Sequence, residues 1–244
     1  MSLETDVANL VTKTTDLIAY FNGKKAGIDA AVAAAVAAVP LMERIWYVNQ
    51  LSGDDSAAGT LNAPLKTIDK AASNTPAGGV CVVRLQTDYV HSTALVSALR
   101  VLNILSDVVG TKRKLSLVYR SDGEFPYLSG FGLPTWGAIG LKDIQLVYPS
   151  PAGMNPAPVG SANAMLKIYS ANVSSIIALK LDACDVQAPA DFSGCMMPAN
   201  GNAIAFESIA TSYPTGWAGR YISGVAAGTD TKTLSNVMTN LATL

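Results

Sequence analysis

The sequence predicts a mainly β fold with an N-terminal helical bundle, a body of short strands and a short C-terminal helix. Three observations predict it. Apolar residues recur at heptad spacing through the first forty positions, and β-favouring runs broken by Gly, Pro, Asn, Asp and Ser fill the middle. The final segment then returns to helical spacing.

The helical segment comes first. Leu3, Val7, Leu10, Thr14, Leu17 and Phe21 are separated alternately by four and three residues, while Glu4, Asp6, Asn9, Lys13 and Asp16 fall off that seam. Asn22-Gly23 and Gly27 interrupt the pattern, which resumes with Ile28, Val32, Ala35 or Val36, and Val39 on an alanine background until Pro40 stops it. A helix with so narrow an apolar stripe is not stable alone and must pair. The seam predicts an intermolecular bundle, taken as a homotrimer joined through Leu3, Val7, Leu10, Leu17, Phe21, Ile28 and Val32. The alternative is a helix folded back on its own domain.

After Pro40 the character changes. Ile45-Trp46-Tyr47-Val48 reads as a strand, Ser52-Gly53-Asp54-Asp55-Ser56 as a turn, and Leu65 to Ala72 as a short amphipathic helix. Strands are expected at Val80–Leu85, Leu99–Leu105, Lys114–Tyr119, Ile139–Tyr148, Met165–Tyr169, Ile176–Val186 and Ala203–Ile209. An antiparallel sandwich and a parallel stack of coils both fit this series. Leu234, Val237, Met238 and Leu241 predict an amphipathic helix across 230–244. The expected organisation is therefore 1–40 helical, 41–79 opening strand and cap, 80–229 β body, and 230–244 helix.

Composition excludes several function classes. Of 244 residues 50% are hydrophobic and 14% charged, with a formal net charge of −1. That is too apolar for disorder, and it carries no nucleic-acid footprint beyond the short Lys112-Arg113-Lys114 run. Cys81, Cys184 and Cys195 are odd in number and irregular in spacing, so they read as core thiols of a protein made in a reducing cytoplasm. The Ala-rich stretch from Ile28 to Val39 is too short to span a bilayer and holds Asp29. No signal peptide is read at the N-terminus, and the chain is read as soluble, with no membrane insertion.

The block Tyr47-Val48-Asn49, Gly53-Asp54-Asp55-Ser56, Gly59-Thr60, Pro64-Leu65-Lys66-Thr67-Ile68 and Ala71-Ala72 resembles the opening motif of pectate-lyase-like right-handed parallel β-helix proteins, bacteriophage tailspikes and tail fibres among them. The resemblance covers residues 46–85 and implies a short right-handed parallel β-helix of roughly five to seven coils, capped by the helix after Pro64. With the heptad helix before it, the chain resembles a phage fibre subunit. That implies a homotrimeric, non-enzymatic virion protein for particle attachment or host adsorption. Its partners would be tail, baseplate or collar proteins and a bacterial surface glycan, without nucleic acid. The alternative is a tailspike depolymerase that cleaves polysaccharide by hydrolysis or elimination.

The search for chemistry leaves no catalytic, cofactor-binding or metal-binding residue assigned. His91 stands alone and reads as a surface or turn residue. Glycoside hydrolysis needs two nearby carboxylates, for which Asp122, Glu124, Asp143, Asp182, Asp185, Asp191 and Glu207 are candidates. Asp143 and either Asp182 or Asp185 are the pair that coil stacking would join, but carboxylates at the turns and outer face of such coils read first as solvated surface groups. Tyr127, Phe131 and Trp136 lie in a Gly- and Pro-rich stretch, and Trp217 and Tyr221 in a second one. Both stretches read as loops whose rings stack on sugars or bury against a neighbouring subunit.

Overall fold

The computed structural model describes residues 2–96, 98–121, 125–133, 137–168, 176–198 and 203–244. The chain divides into two units, Met1–Met42 and Glu43–Leu244.

The first unit is one helix, α1 (Leu3–Leu41). It runs unbroken through Asn22-Gly23 and Gly27 and ends one residue beyond Pro40. A glycine inside a helix costs only about 1 kcal/mol relative to alanine, too little to break a helix flanked by so many alanines. Thr12, Thr14 and Thr15 donate their hydroxyls to the carbonyls of Ala8, Leu10 and Val11, so these residues need no outside partner.

In the second unit β1 (Glu43–Val48) leads through the Gly53 turn to α2 (Ile68–Ser73). The Asp55 carboxylate accepts the N–H groups of Lys66 and Thr67 at 3.0 and 2.9 Å, and Thr67 caps α2 by accepting from the Lys70 N–H at 3.1 Å. Ile68, Ala71 and Ala72 are the buried face of α2. Then follow β2 (Val80–Leu85), β3 (Tyr89–His91), β4 (Ala94–Val96), β5 (Val101–Ser106) and β6 (Arg113–Leu117). A hairpin pair, β7 (Tyr119–Ser121) and β8 (Pro126–Leu128), precedes β9 (Gly130–Leu133), β10 (Gly137–Lys142) and β11 (Ile144–Val147). The chain ends with β12 (Leu166–Ile168), β13 (Ile176–Asp182), β14 (Asp185–Gln187), β15 (Ala203–Ile209) and β16 (Val237–Thr239).

These strands form a seven-stranded sheet in the order β1-β2-β5-β10-β13-β15-β16, a four-stranded sheet β14-β11-β6-β3 and a three-stranded sheet β12-β9-β4. Pairing within all three is parallel, and among the described strands only β7 and β8 pair antiparallel. Inward side chains alternate with outward ones along each long strand, as in the buried Ile177, Leu179 and Leu181 of β13. One buried apolar cluster joins the three sheets.

Several expectations are corrected by this architecture. The predicted fold class, a trimeric helical bundle followed by a short right-handed parallel β-helix and a C-terminal helix, gives way to one long helix and a mostly parallel β-sheet core. The core does not repeat uniformly, because its sheets hold seven, four and three strands and a hairpin interrupts them. The C-terminal segment is a 3-10 turn at Thr231–Thr233 followed by β16. There Asn240 exchanges two hydrogen bonds with the Ser208 backbone at 2.9 and 2.8 Å, which holds the segment extended beside β15. The strands expected at 139–148 and 176–186 are each split in two. Asp143 and Ala183 both take φ of 53° and turn the chain from the seven-stranded to the four-stranded sheet.

Candidate functional site

The outer face of the seven-stranded sheet carries a groove of about 470 Å³, continued by a smaller one of about 180 Å³. Strand register explains it. Ala138, Ala178, Ala205 and Met238 align across β10, β13, β15 and β16, and Asn103, Gly140, Lys180 and Glu207 align as the next row. Small side chains make a low floor, and the longer Lys180, Glu207, Asn103 and Met238 stand around it. Gly140 leaves room for the Asn103 carboxamide, whose oxygen would have to shift to admit a Cβ there.

Charge is confined to one side of this floor. Lys142 bonds Asp182 at 2.7 Å across β10 and β13, and Lys180 bonds Glu207 at 3.0 Å across β13 and β15. The Asp182 hydrogen bond, then its charge, raises the Lys142 pKa above its ordinary value. All four groups are partly exposed, so the pairs stabilise the fold little and serve mainly to orient one another.

The other candidate carboxylates lie elsewhere. Asp143 does not meet Asp182 or Asp185 side by side. It occupies the left-handed corner between β10 and β11, where its N–H donates to the Asp182 carbonyl. Asp185 lies on β14, in the other sheet, and accepts from Ser212, Gln145 and Gln187. The Ser212 bond is the largest cause of its lowered pKa. Asp191 accepts from Ser150, and Asp122 and Glu124 fall outside the described residues.

The aromatic candidates are placed differently from the surface loops expected. Phe131 is buried on β9 and Trp217 is buried against Phe192, Tyr148 and Tyr213. Tyr221 is half-buried beside Trp217, Tyr127 is half-buried under the Arg120 guanidinium, and Trp136 falls outside the described residues. The stretch around Tyr127 and Phe131 forms β8 and β9 where a loop was expected.

His91 corrects a second expectation. It is fully buried, stacked on Phe131 at 4.5 Å, and donates from Nε2 to the Gly130 carbonyl at 3.0 Å. Its Nδ1 has no partner among the described residues. Burial pushes its pKa down, against smaller opposing contributions from the Gly130 carbonyl and Asp69. The three cysteines are free and buried. Among the described residues no group of three or more His, Cys, Asp or Glu is placed to hold a metal, and no helix is long and apolar enough to cross a membrane.

No family model matches the chain, and no curated protein matches it. Among solved structures it is similar to the crystal structure of a GH136 lacto-N-biosidase from Eubacterium ramulus, as a selenomethionine derivative, at 17% identity with a TM-score of 0.39. The alignment covers 75% of this chain and 32% of that one, so this chain spans about a third of that protein's length. The likeness is distant and shows no family for this chain. The single long helix and the sheets of seven, four and three parallel strands correct the identification as a phage fibre subunit, and with it the expectation of a purely structural, non-enzymatic virion protein.

Proposed function

We propose that the groove on the seven-stranded sheet binds an extended saccharide and that Asp182 and Glu207 hydrolyse a glycosidic bond within it. One observation carries this reading: two carboxylates on the adjacent strands β13 and β15 line one continuous groove. Register sets Lys180 opposite Glu207 and Asp182 opposite Ile209, so the two carboxylates lie on a diagonal. Strand spacing and rise put their Cα atoms roughly 8 Å apart. Inverting hydrolysis holds its two carboxyl groups about 6.5–9.5 Å apart, a separation that side chains on such a diagonal can reach, with one protonating the leaving oxygen and the other activating a water.

The lysines position these groups and favour their ionised form, which suits the general base, so a bound sugar must displace one lysine before its carboxyl can take up the proton that the acid step donates. Each holds its carboxylate by a direct ion pair, which limits side-chain motion at the reacting positions. The low floor of Ala138, Gly140, Ala178 and Ala205 lets a sugar chain lie close to the backbone, and Asn103 offers a carboxamide to its hydroxyl groups.

The test is release of reducing ends from a panel of bacterial surface polysaccharides and branched oligosaccharides by the full chain, beside Asp182→Asn and Glu207→Gln. The reading expects cleavage of at least one member, and a loss of kcat of about 100-fold or more in each variant with KM little changed. Cleavage by both variants at the full rate, or no cleavage of any glycan, overturns it.

A further inference from the structure

Helix α1 carries a row of apolar side chains that its own unit leaves uncovered. Leu3, Val7, Leu10, Leu17, Phe21 and Ile28 are each more than half exposed. They fall at the a and d positions of one heptad frame, in which Thr14 and Lys24 take the two remaining places. Neither breaks the seam. Thr14 donates its hydroxyl to the Leu10 carbonyl at 2.9 Å, and the Lys24 ammonium is drawn aside to 5.4 Å from the Tyr20 ring.

The flanking residues decide what covers the seam. In this frame Glu4, Val11, Ile18 and Lys25 occupy e, while Asp6, Lys13 and Tyr20 occupy g. A parallel arrangement sets each g residue beside the e residue five positions later on the next chain. It would place Asp6 on Val11 and Lys13 on Ile18, and would stack Lys24 on Lys24. An antiparallel arrangement pairs e with e. With Leu3 against the second copy's Ile28, the next layers are Val7 with Lys24, Leu10 with Phe21, and Thr14 with Leu17. The same register places Glu4 beside Lys25, opposite in charge, and Val11 beside Ile18, both apolar. It thereby covers Val11 and Ile18, which are 60% and 56% exposed and lie outside the a and d rows. Every contact recurs with the two copies exchanged, so the interface closes on itself.

We propose that two copies of this chain associate through residues 3–28 of α1 as an antiparallel two-helix coiled coil. The occupant of the seam is a second copy, selected by the pairing of Glu4 with Lys25 and of Val11 with Ile18.

Disulfide trapping in the full chain tests both the association and its direction. The native thiols are buried and do not compete. The single variants Leu10→Cys and Phe21→Cys are oxidised separately and as an equimolar mixture at micromolar concentration. The proposal expects a covalent dimer in the mixture and none in either variant alone. A dimer in each variant alone means parallel helices and overturns it, as does a monomer by light scattering. Glu4→Lys weakens the dimer about tenfold, and adding Lys25→Glu restores it. Unchanged affinity in Glu4→Lys would remove the basis for the register.

Discussion

The two units of this chain use apolar residues in opposite ways. In α1 the large apolar side chains from Leu3 to Val36 are all exposed, whereas in the β unit Ile139, Leu179, Leu181 and Phe206 are within 2% of complete burial. The difference lies in periodicity. A period of two on parallel strands turns alternate residues toward one shared interior, so the β unit buries its apolar set by itself. A 3.5-residue period on a lone helix gathers apolar groups into a line that only another helix can cover. One unit is therefore stabilised from within, and the other presents its apolar line at its surface.

The sharpest way to break this comparison is to make the same cut in both units. Leu179→Ala is expected to destabilise the β unit by about 2–5 kcal/mol in urea unfolding, because it leaves a cavity under the groove. Leu10→Ala is expected to leave that transition where it was.

A second prediction concerns His91. The folded chain holds this ring neutral, with its pKa below the ordinary 6.5, whereas the unfolded chain titrates at the ordinary value. Between those two values the unfolded state binds more protons, so lowering the pH through that window favours unfolding. Stability of the β unit is expected to fall as pH drops below about 6.5, and His91→Gln is expected to flatten that part of the profile in thermal melts at fixed ionic strength. An equally steep profile in the variant would place the effect on other groups.

Smaller effects test local devices. Thr67→Ala removes the cap of α2 and the hydroxyl that donates to Asp55 at 2.9 Å, and should cost about 1 kcal/mol. Ala183→Gly should stabilise by about 0.5–1 kcal/mol, since the left-handed corner at φ 53° strains a residue with a Cβ. Both shifts are readable as changes in Tm.

The sequence showed some of this and hid the rest for identifiable reasons. Heptad spacing marked the α1 seam and the Asp55 turn was visible, because both are encoded locally. The C-terminal strand was hidden, because Leu234, Val237, Met238 and Leu241 satisfy helical spacing while the Asn240–Ser208 bonds that hold the segment extended span 32 residues. The corners at Asp143 and Ala183 carry no glycine to mark them. His91 looked like a turn residue because burial depends on the packing of Phe131, far along the chain. Asp182 and Glu207 were both among the carboxylates considered. Their common groove follows from register between strands that begin 27 residues apart, which no local pattern records.

The central claim is that the outer row of small residues is a saccharide groove, and Ala178→Trp tests it most directly. Ala178 points away from the core, at the middle of the floor. With Tm unchanged within a few degrees, the account predicts loss of saccharide binding and of glycoside cleavage in the variant. Binding and cleavage equal to those of the unaltered chain, with the fold intact, would contradict it.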